Sequence, residues 1–261
     1  MTSLNTDPEA GQPGTDPETA RRVLRVTGGD TREFLQNLVT NDVARLDQGP
    51  VYTALLTPQG KLIADFLMVA DGPAVLIDVA ADWAAPLMQR LRMYRLRADV
   101  QIEETALKVR RGTGAAPEGA VPDPRDPALG WRLYGDEGGD DGSDWAAIRV
   151  SRGIPASGVE LGPESYILEA GFERLNGVDF RKGCYVGQEV TARMKHKTEL
   201  RKGFRIVRIE GEAAPGTEIL RDGKAVGTLF TRAGDRALAY LRFDRIGDGM
   251  VAGTARVEVP D

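Results

Sequence analysis

The only cysteine of the chain lies among its densest group of potentially reactive residues. Cys184 stands in the middle of residues 182–189, KGCYVGQE, and it follows the two cations Arg181 and Lys182. The residues from Gly187 to Met194 can form a helix, which puts Cys184 just before a helix N-terminus. Nearby positive charge and the helix dipole both favour a thiolate, the form that attacks electrophiles and binds soft metals. A lone cysteine is also commonly a small buried hydrophobe, so both interpretations stay open.

Asp65 is the second candidate. It lies within residues 62–69, LIADFLMV, which have the composition of a strand. On a regular strand Asp65 shares an apolar face with Ile63, Leu67 and Val69, where a carboxylate is costly unless it is paired or functional. It could bind the amine or amide edge of a planar heterocycle. Alternatively, the strand could contain a bulge, or a neighbouring strand could supply a partner cation.

Two further polar segments could bind a ligand. Asn41 and Asp42 follow the first predicted helix, and their types favour a turn or cap first and a ligand contact second. The basic run from Arg193 to Lys202 is typical of a solvated face, but it could also receive carboxylates or a phosphate.

Composition excludes several functions. The formal net charge of -5 disfavours a general nucleic-acid binder, which needs a basic surface. Cys184 and His196, the only cysteine and histidine, fall short of the four ligands of a structural zinc or a self-ligated iron–sulfur cluster. One cysteine cannot form an internal disulfide, so we expect a cytoplasmic location. No apolar run is long enough to predict a membrane span.

Strand and helix patterns alternate irregularly along the first part of the chain, which predicts a mixed α+β fold. Asp30, with Glu33, and Asp82 are predicted to cap two helices, and Gly153 to end a third. Residues 112–128 and 135–144 are predicted to be exposed loops. The predicted strands are Val23–Val26, Val51–Leu56, Lys61–Val69, Ala74–Val79 and Ala98–Glu103, with Trp145–Arg152 helical.

The C-terminal part changes character, because short strands separated by glycine-containing turns predict a small antiparallel barrel or sandwich. We therefore divide the chain into a disordered tail at 1–18, an α+β region at 19–198 and a β domain at 199–261. The predicted strands of that domain are Phe204–Ile209, Ala225–Phe230, Ala237–Leu241 and Ala255–Val259.

Residues 182–189 fit the signature K-G-C-Y-x-G-Q-E without a gap. Through this signature the chain resembles the YgfZ-type folate-binding proteins. These proteins are relatives of the glycine-cleavage T-protein, an aminomethyltransferase. The resemblance covers roughly residues 21–259, with weaker matches at 34–43, 55–65, 94–100, 149–155 and 168–171.

The resemblance implies a fold and a role. The implied fold is α+β and glycine-cleavage-T-protein-like, with interleaved subdomains around a central tetrahydrofolate cavity and a C-terminal antiparallel β-barrel. The implied role is assembly or repair of four-iron proteins, with iron–sulfur client or scaffold proteins as partners. Cys184 matches the functional residue of the signature, and Asp65 lies where T-proteins carry the aspartate that faces the folate amine. Counting Asp65, the expected folate-binding residues are Asn41, Asp65, Glu169, Lys182, Tyr185, Gln188, Glu189 and Arg193.

Two alternative functions remain at this point. A folate-dependent one-carbon transferase would use Asp65 at the folate amine, with Cys184 incidental. T-proteins, however, usually have two adjacent acids where this chain has Ala64 and Asp65, and they lack the cysteine signature. An accessory protein in tRNA modification would contact phosphates through the run from Arg193 to Lys202, which the acidic balance disfavours.

Overall fold

The computed structural model describes residues 20–196 and 199–260, and the predicted tail at 1–18 lies outside them. The first sheet has the order β2-β3-β4-β1-β5 and is antiparallel throughout. Strand β2 is buried along its whole length, because one face packs on the helices and the other on the centre of the molecule. The elements are β1 (Arg21–Thr27), α1 (Thr31–Gln36), β2 (Val51–Leu56), β3 (Leu62–Asp71), β4 (Ala74–Ala80), α2 (Ala81–Tyr94) and β5 (Gln101–Glu104).

Both aspartates predicted as helix caps have other roles. Asp30 occupies the N-cap position of α1, but its carboxylate accepts the Asp99 backbone N–H at 2.8 Å, so the predicted capping box does not form. Asp82 lies in the first turn of α2, whose N-cap is Ala80. An acidic residue in the first turn still interacts favourably with the helix dipole.

A second sheet forms around the loops predicted at 112–128 and 135–144, and its two longer strands flank these loops. It has the order β7-β8-β6-β9, and α3 follows it and ends at Gly153 (φ 64°), as predicted. Residues 113–120 and 135–144 are largely exposed loop, as predicted, whereas the two-residue strands β7 and β9 and the buried side chains of Asp123 and Arg125 were not predicted. The elements are β6 (Lys108–Gly112), β7 (Val121–Pro122), β8 (Trp131–Gly135), β9 (Gly139–Asp140) and α3 (Trp145–Arg152).

Buried ion pairs join the two sheets. Asp78 on β4 accepts hydrogen bonds from Arg21 (2.5 Å), from Arg132 on β8 (3.1 Å) and from the Tyr134 hydroxyl (3.0 Å). Arg132 also donates to the buried Asp123. Burial, and then the Asp78 charge, raise the pKa of Tyr134 well above its usual range, so its hydroxyl stays a donor. The junction between the sheets is therefore polar and charged.

The C-terminal strands form a closed barrel with the order β10-β13-β12-β11-β14-β15. The predicted turn at 221–224 is confirmed, with positive φ at Asp222 (52°) and Gly223 (71°). All four predicted strands are present, and β11 and β14 add to them. Among the described residues, no helix is both long and apolar enough to span a membrane. The remaining elements are α4 (Gln188–His196), β10 (Lys202–Glu210), β11 (Glu218–Arg221), β12 (Lys224–Ala233), β13 (Arg236–Arg242), β14 (Met250–Ala252) and β15 (Ala255–Glu258).

Candidate functional site

Cys184 is exposed on the loop that leads into α4, so the interpretation as a buried hydrophobe is wrong. The side chains on both sides of it are buried: Lys182 is 8% exposed and Tyr185 is 7% exposed. Tyr185 packs into the central core. The loop therefore anchors its flanks in the protein and presents the thiol to solvent.

Lys182 anchors this loop by binding the segment after α1. Its ammonium group donates to the backbone carbonyls of Gln36 (2.7 Å), Val39 (2.5 Å) and Asn41 (3.1 Å). An ammonium group has three N–H donors, and all three are used here. Burial lowers the pKa of Lys182 to about 8, although the charges of Asp42 and Asp179 oppose that shift. These contacts give Lys182 a structural role and leave no donor for a folate.

Asn41 holds the same segment from the other side. Its side-chain amide donates to the carbonyls of Tyr52 (2.8 Å) and Asn176 (2.6 Å), and its oxygen accepts the Asp42 N–H (2.8 Å). Because Asn41 is 3% exposed, these bonds satisfy a buried amide. It thus acts as a turn residue, the first of the two roles predicted for it.

The other signature residues of this region lie on α4. Gln188 is partly exposed, and Glu189 and Arg193 are exposed. The predicted ion pair between Glu189 and Arg193 does not form: among the described residues, no carboxylate lies within 4.0 Å of Arg193. No hydrogen bond or ion pair joins these three side chains within the described part of the chain.

Gly187 sets the position of α4 against the β2–β3 hairpin. Its φ is +83°, and a Cβ at this position would lie 2.6 Å from the Thr57 carbonyl oxygen and 3.2 Å from the Cα of Gly60. A Cβ at Gly60, in turn, would lie 2.8 Å from the Cβ of Val190. Only glycine permits this approach, so the cysteine loop and the hairpin tip are in direct backbone contact.

Asp65 is buried on β3 and binds two hydroxyl groups. The Tyr52 hydroxyl donates to one carboxylate oxygen at 2.9 Å, and the Ser157 hydroxyl donates to the other. The predicted partner cation is therefore replaced by hydroxyl groups. A bulge between Leu55 and Leu56 in the β2–β3 pairing places Ile63 against the core on the opposite face, so Ile63 does not share the face of Asp65 as predicted.

An aromatic pocket of about 350 Å³ lies between the hairpin tip, the segment before Ala170 and the barrel. Glu169, a predicted folate-binding residue, lines it and accepts a hydrogen bond from the Tyr240 hydroxyl. Burial, and then this hydrogen bond, raise the pKa of Tyr240. The pocket is defined by Lys61, Tyr166, Glu169, Lys202, Phe230 and Tyr240, with Phe204 forming one wall.

The structure divides the predicted site residues into groups. Lys182, Tyr185 and Asn41 meet beneath Cys184, whereas Glu169 lies in the aromatic pocket. Neither Cys184 nor Asp65 is among the residues that line this pocket. Sequence reasoning missed Tyr166, Phe230 and Tyr240, because they belong to three segments and no spacing connects them. Within residues 20–196 and 199–260, no group of three or more His, Cys, Asp or Glu residues could hold a metal ion.

Comparison with solved structures shows which fold positions these residues. The glycine cleavage system aminomethyltransferase T from Bartonella henselae superposes with a TM-score of 0.72 over 93% of this chain and 83% of that chain, at 12% sequence identity. This is a glycine-cleavage-T-protein-like fold. The predicted fold class, with its C-terminal barrel, is confirmed. At such low identity the likeness concerns the fold alone.

Sequence comparisons match the chain to one domain family and to several proteins named as iron-sulfur cluster assembly factors. Residues 201–261 match the family described as CAF17, C-terminal beta-barrel domain. A relative from Neurospora crassa, named iron-sulfur cluster assembly factor IBA57 homolog, mitochondrial, is 35% identical over 78% of this chain and 55% of its own length. The chain thus spans about half of that relative. The IBA57 proteins of Mus musculus and Homo sapiens are 29% and 28% identical, over 87% of this chain and 76% of theirs. The chain is similar to these assembly factors over part of their length, and the YgfZ type in particular stays a prediction.

Proposed function

We propose that this protein assists the assembly or repair of four-iron proteins, with Cys184 as a reactive thiolate or a transient cluster ligand. The observation that carries the proposal is the exposed Cys184 on a loop whose two flanks are buried and anchored. The IBA57 relatives, named as iron–sulfur cluster assembly factors, support the same role. Its partners would be iron–sulfur client or scaffold proteins.

A single exposed thiol suits the transfer of an iron–sulfur cluster better than its storage. Clusters in iron–sulfur proteins are usually held by four cysteine ligands, and this chain has one cysteine. One thiolate can bind an iron of a cluster only while a partner supplies the remaining ligands. The cluster would therefore leave with the partner when the complex separates.

We further propose that the aromatic pocket receives the pterin of tetrahydrofolate. Its volume lies within the range of about 300–1,000 Å³ that is usual for small-molecule sites. Tyr166 and Tyr240 supply flat apolar surfaces, and the Glu169 carboxylate can accept N–H groups from the edge of a heterocycle. Lys202 supplies positive charge for the folate carboxylates, whereas Lys61 already pairs with Glu164, which lines the pocket together with Glu160. Bound tetrahydrofolate would supply one-carbon chemistry, but the chain's own residues account for binding only.

The transferase alternative has less support. Asp65 is buried and holds the hydroxyls of Tyr52 and Ser157, so it would have to break two hydrogen bonds to reach a folate amine. The acidic net charge weighs against the tRNA alternative. We place the protein in a reducing compartment such as the cytoplasm, because Cys184 is free and exposed. The relatives above are named as mitochondrial.

Replacing Cys184 by serine tests the cluster role. In cells that lack the endogenous protein, we expect Cys184→Ser to leave a four-iron enzyme at the activity of the deletion strain, since serine supplies neither a soft ligand nor a thiolate. Because Cys184 is exposed, the melting temperature should not change. Asp65→Asn is the comparison variant and should retain the enzyme activity. Full rescue by Cys184→Ser, or loss only with Asp65→Asn, would contradict the proposal.

Replacing Glu169 by glutamine tests the folate pocket. We expect Glu169→Gln to weaken tetrahydrofolate binding by about tenfold, because a charge-assisted hydrogen bond becomes a neutral one. Isothermal titration calorimetry of the full chain measures this change. Glu173→Gln is the control, since Glu173 is exposed, binds Lys195 and lies outside the pocket. Equal affinities for the two variants would exclude the pocket as the pterin site.

A further inference from the structure

A second recess runs along the outer side of β10 and is rich in arginine. Two adjoining hollows of about 560 and 480 Å³ share Gly153, Arg174, Phe204 and Arg205, so they form one open groove. We name it the arginine groove. Arg152 and Arg236 line its second hollow, where none of the described lining residues is acidic. Four arginines along one groove contrast with a formal net charge of -5 for the whole chain.

The two central arginines are held in place by the protein. The Arg174 guanidinium donates to the carbonyls of Arg152 (2.9 Å) and Gly153 (2.7 Å), which end helix α3. The Arg205 guanidinium lies 3.9 Å from the centre of the Phe243 ring and donates to the Phe204 carbonyl at 3.0 Å. A guanidinium has five N–H donors, so both side chains keep donors available to the groove. Their fixed positions lower the entropy cost of binding a ligand.

Three of the four arginines form no ion pair within the described part of the chain, although the charge of Asp126 acts on Arg174. No described carboxylate lies within 4.0 Å of Arg174, Arg205 or Arg236, whereas Arg152 pairs with Asp126 at 3.4 Å. Partial desolvation, and then the charge of Arg174, lower the pKa of Arg205. Two like charges in one recess repel each other, and a bound carboxylate would relieve this repulsion.

The walls of the groove indicate which anion fits. Apolar surface from Phe243, Ile246 and Leu200 lines the first hollow, beside Glu169 and Glu199. The acidic groups at this end disfavour a continuous phosphate backbone. A peptide that alternates carboxylates with apolar side chains matches both kinds of surface, because arginine binds carboxylates in a fork geometry and apolar residues fill the rest.

We propose that the arginine groove docks a short acidic segment of a partner protein, with its carboxylates on Arg174 and Arg205 and an apolar side chain against Phe243. This inference rests on the proposed function, in which the partner carries or receives the cluster. The groove and Cys184 can be tested separately, because the groove residues are not within the cysteine loop.

Fluorescence anisotropy with a labelled peptide of alternating glutamate and leucine tests the groove. We expect saturable binding to the full chain, and we expect Arg205→Gln to weaken it about fivefold, as loss of about 1 kcal/mol requires. Arg208→Gln is the matched control, since Arg208 lies on the same strand but pairs with Glu210 and Asp235. Raising the salt concentration should weaken peptide binding to the wild-type protein more than to Arg205→Gln.

Three results would overturn the docking proposal. These are no saturation below about 1 mM peptide, equal losses for Arg205→Gln and Arg208→Gln, or arginine-dependent binding of a single-stranded RNA in place of the peptide. Cys184→Ser should bind the peptide with unchanged affinity. If the protein binds the peptide but fails the cluster assay, the result would therefore count against the proposed function alone. If it passes the cluster assay but does not bind the peptide, the result would count against the groove proposal alone.

Discussion

Replacing Asp78 by alanine is expected to lower the free energy of unfolding by about 3–5 kcal/mol, because removing one partner of a buried ion pair leaves an uncompensated charge. Asp78 is fully buried, and the change would leave Arg21 and the Tyr134 hydroxyl without their carboxylate acceptor. Arg132 would keep its bond to Asp123. Urea unfolding monitored by circular dichroism measures the change.

Asp71→Ala is the matched control for this experiment. Asp71 is also an aspartate of the first sheet, and it pairs with Arg25 at 2.8 Å, but both side chains are more than 40% exposed. Exposed pairs contribute about 0–1 kcal/mol, so we expect a loss within that range. If Asp78→Ala cost no more than Asp71→Ala, the buried network would not hold the two sheets together.

The second large effect is expected at Lys182. Lys182→Met keeps an unbranched side chain, one heavy atom shorter, but removes three hydrogen bonds to the carbonyls of Gln36, Val39 and Asn41. Buried acceptors that lose their donor cost about 1–3 kcal/mol each, and removal of a desolvated charge offsets part of this loss. We expect a net loss of about 3 kcal/mol in the free energy of unfolding.

The Lys182 variant should also change the behaviour of Cys184. Loss of the anchor would free one flank of the loop, so the thiol should react with a maleimide at a rate closer to that of an unstructured peptide. Lys195→Met is the control, because Lys195 is exposed, pairs with the exposed Glu173 and contacts none of the residues that Lys182 binds. Unchanged stability together with an unchanged maleimide rate would show that Tyr185 and Gly187 position the loop without Lys182.

The parts of the fold that could be predicted are those whose cores are apolar. Strand β2, helix α3 with its terminal Gly153, and the turn at 221–224 follow from residue spacing and from glycine positions. The second sheet could not be predicted, because its inward residues include Asp123 and Arg132, which resemble loop residues until their partners are known. Pairing across distant segments has no local sequence signal.

The same limit applies to the site. The motif around Cys184 identified the candidate thiol, but the role of Lys182 depends on carbonyls more than 140 residues earlier in the chain. The aromatic pocket was anticipated only through Glu169. Tyr166 and Tyr240 both line the pocket because the segment that contains Glu169 lies beside the barrel. No periodicity in the sequence indicates that this segment and the barrel are neighbours.

The close approach of Gly60 and Gly187 has a mechanical consequence. The residue next to Gly60 is Lys61, whose ammonium group lies 4.1 Å from the centre of the Tyr166 ring and 3.1 Å from the Glu164 carboxylate, at the edge of the aromatic pocket. The hairpin tip therefore touches the pocket on one side and the base of the cysteine loop on the other. No side chain lies between the two glycines to absorb a displacement, so we expect a shift of the Lys61 backbone to move the start of α4 as well.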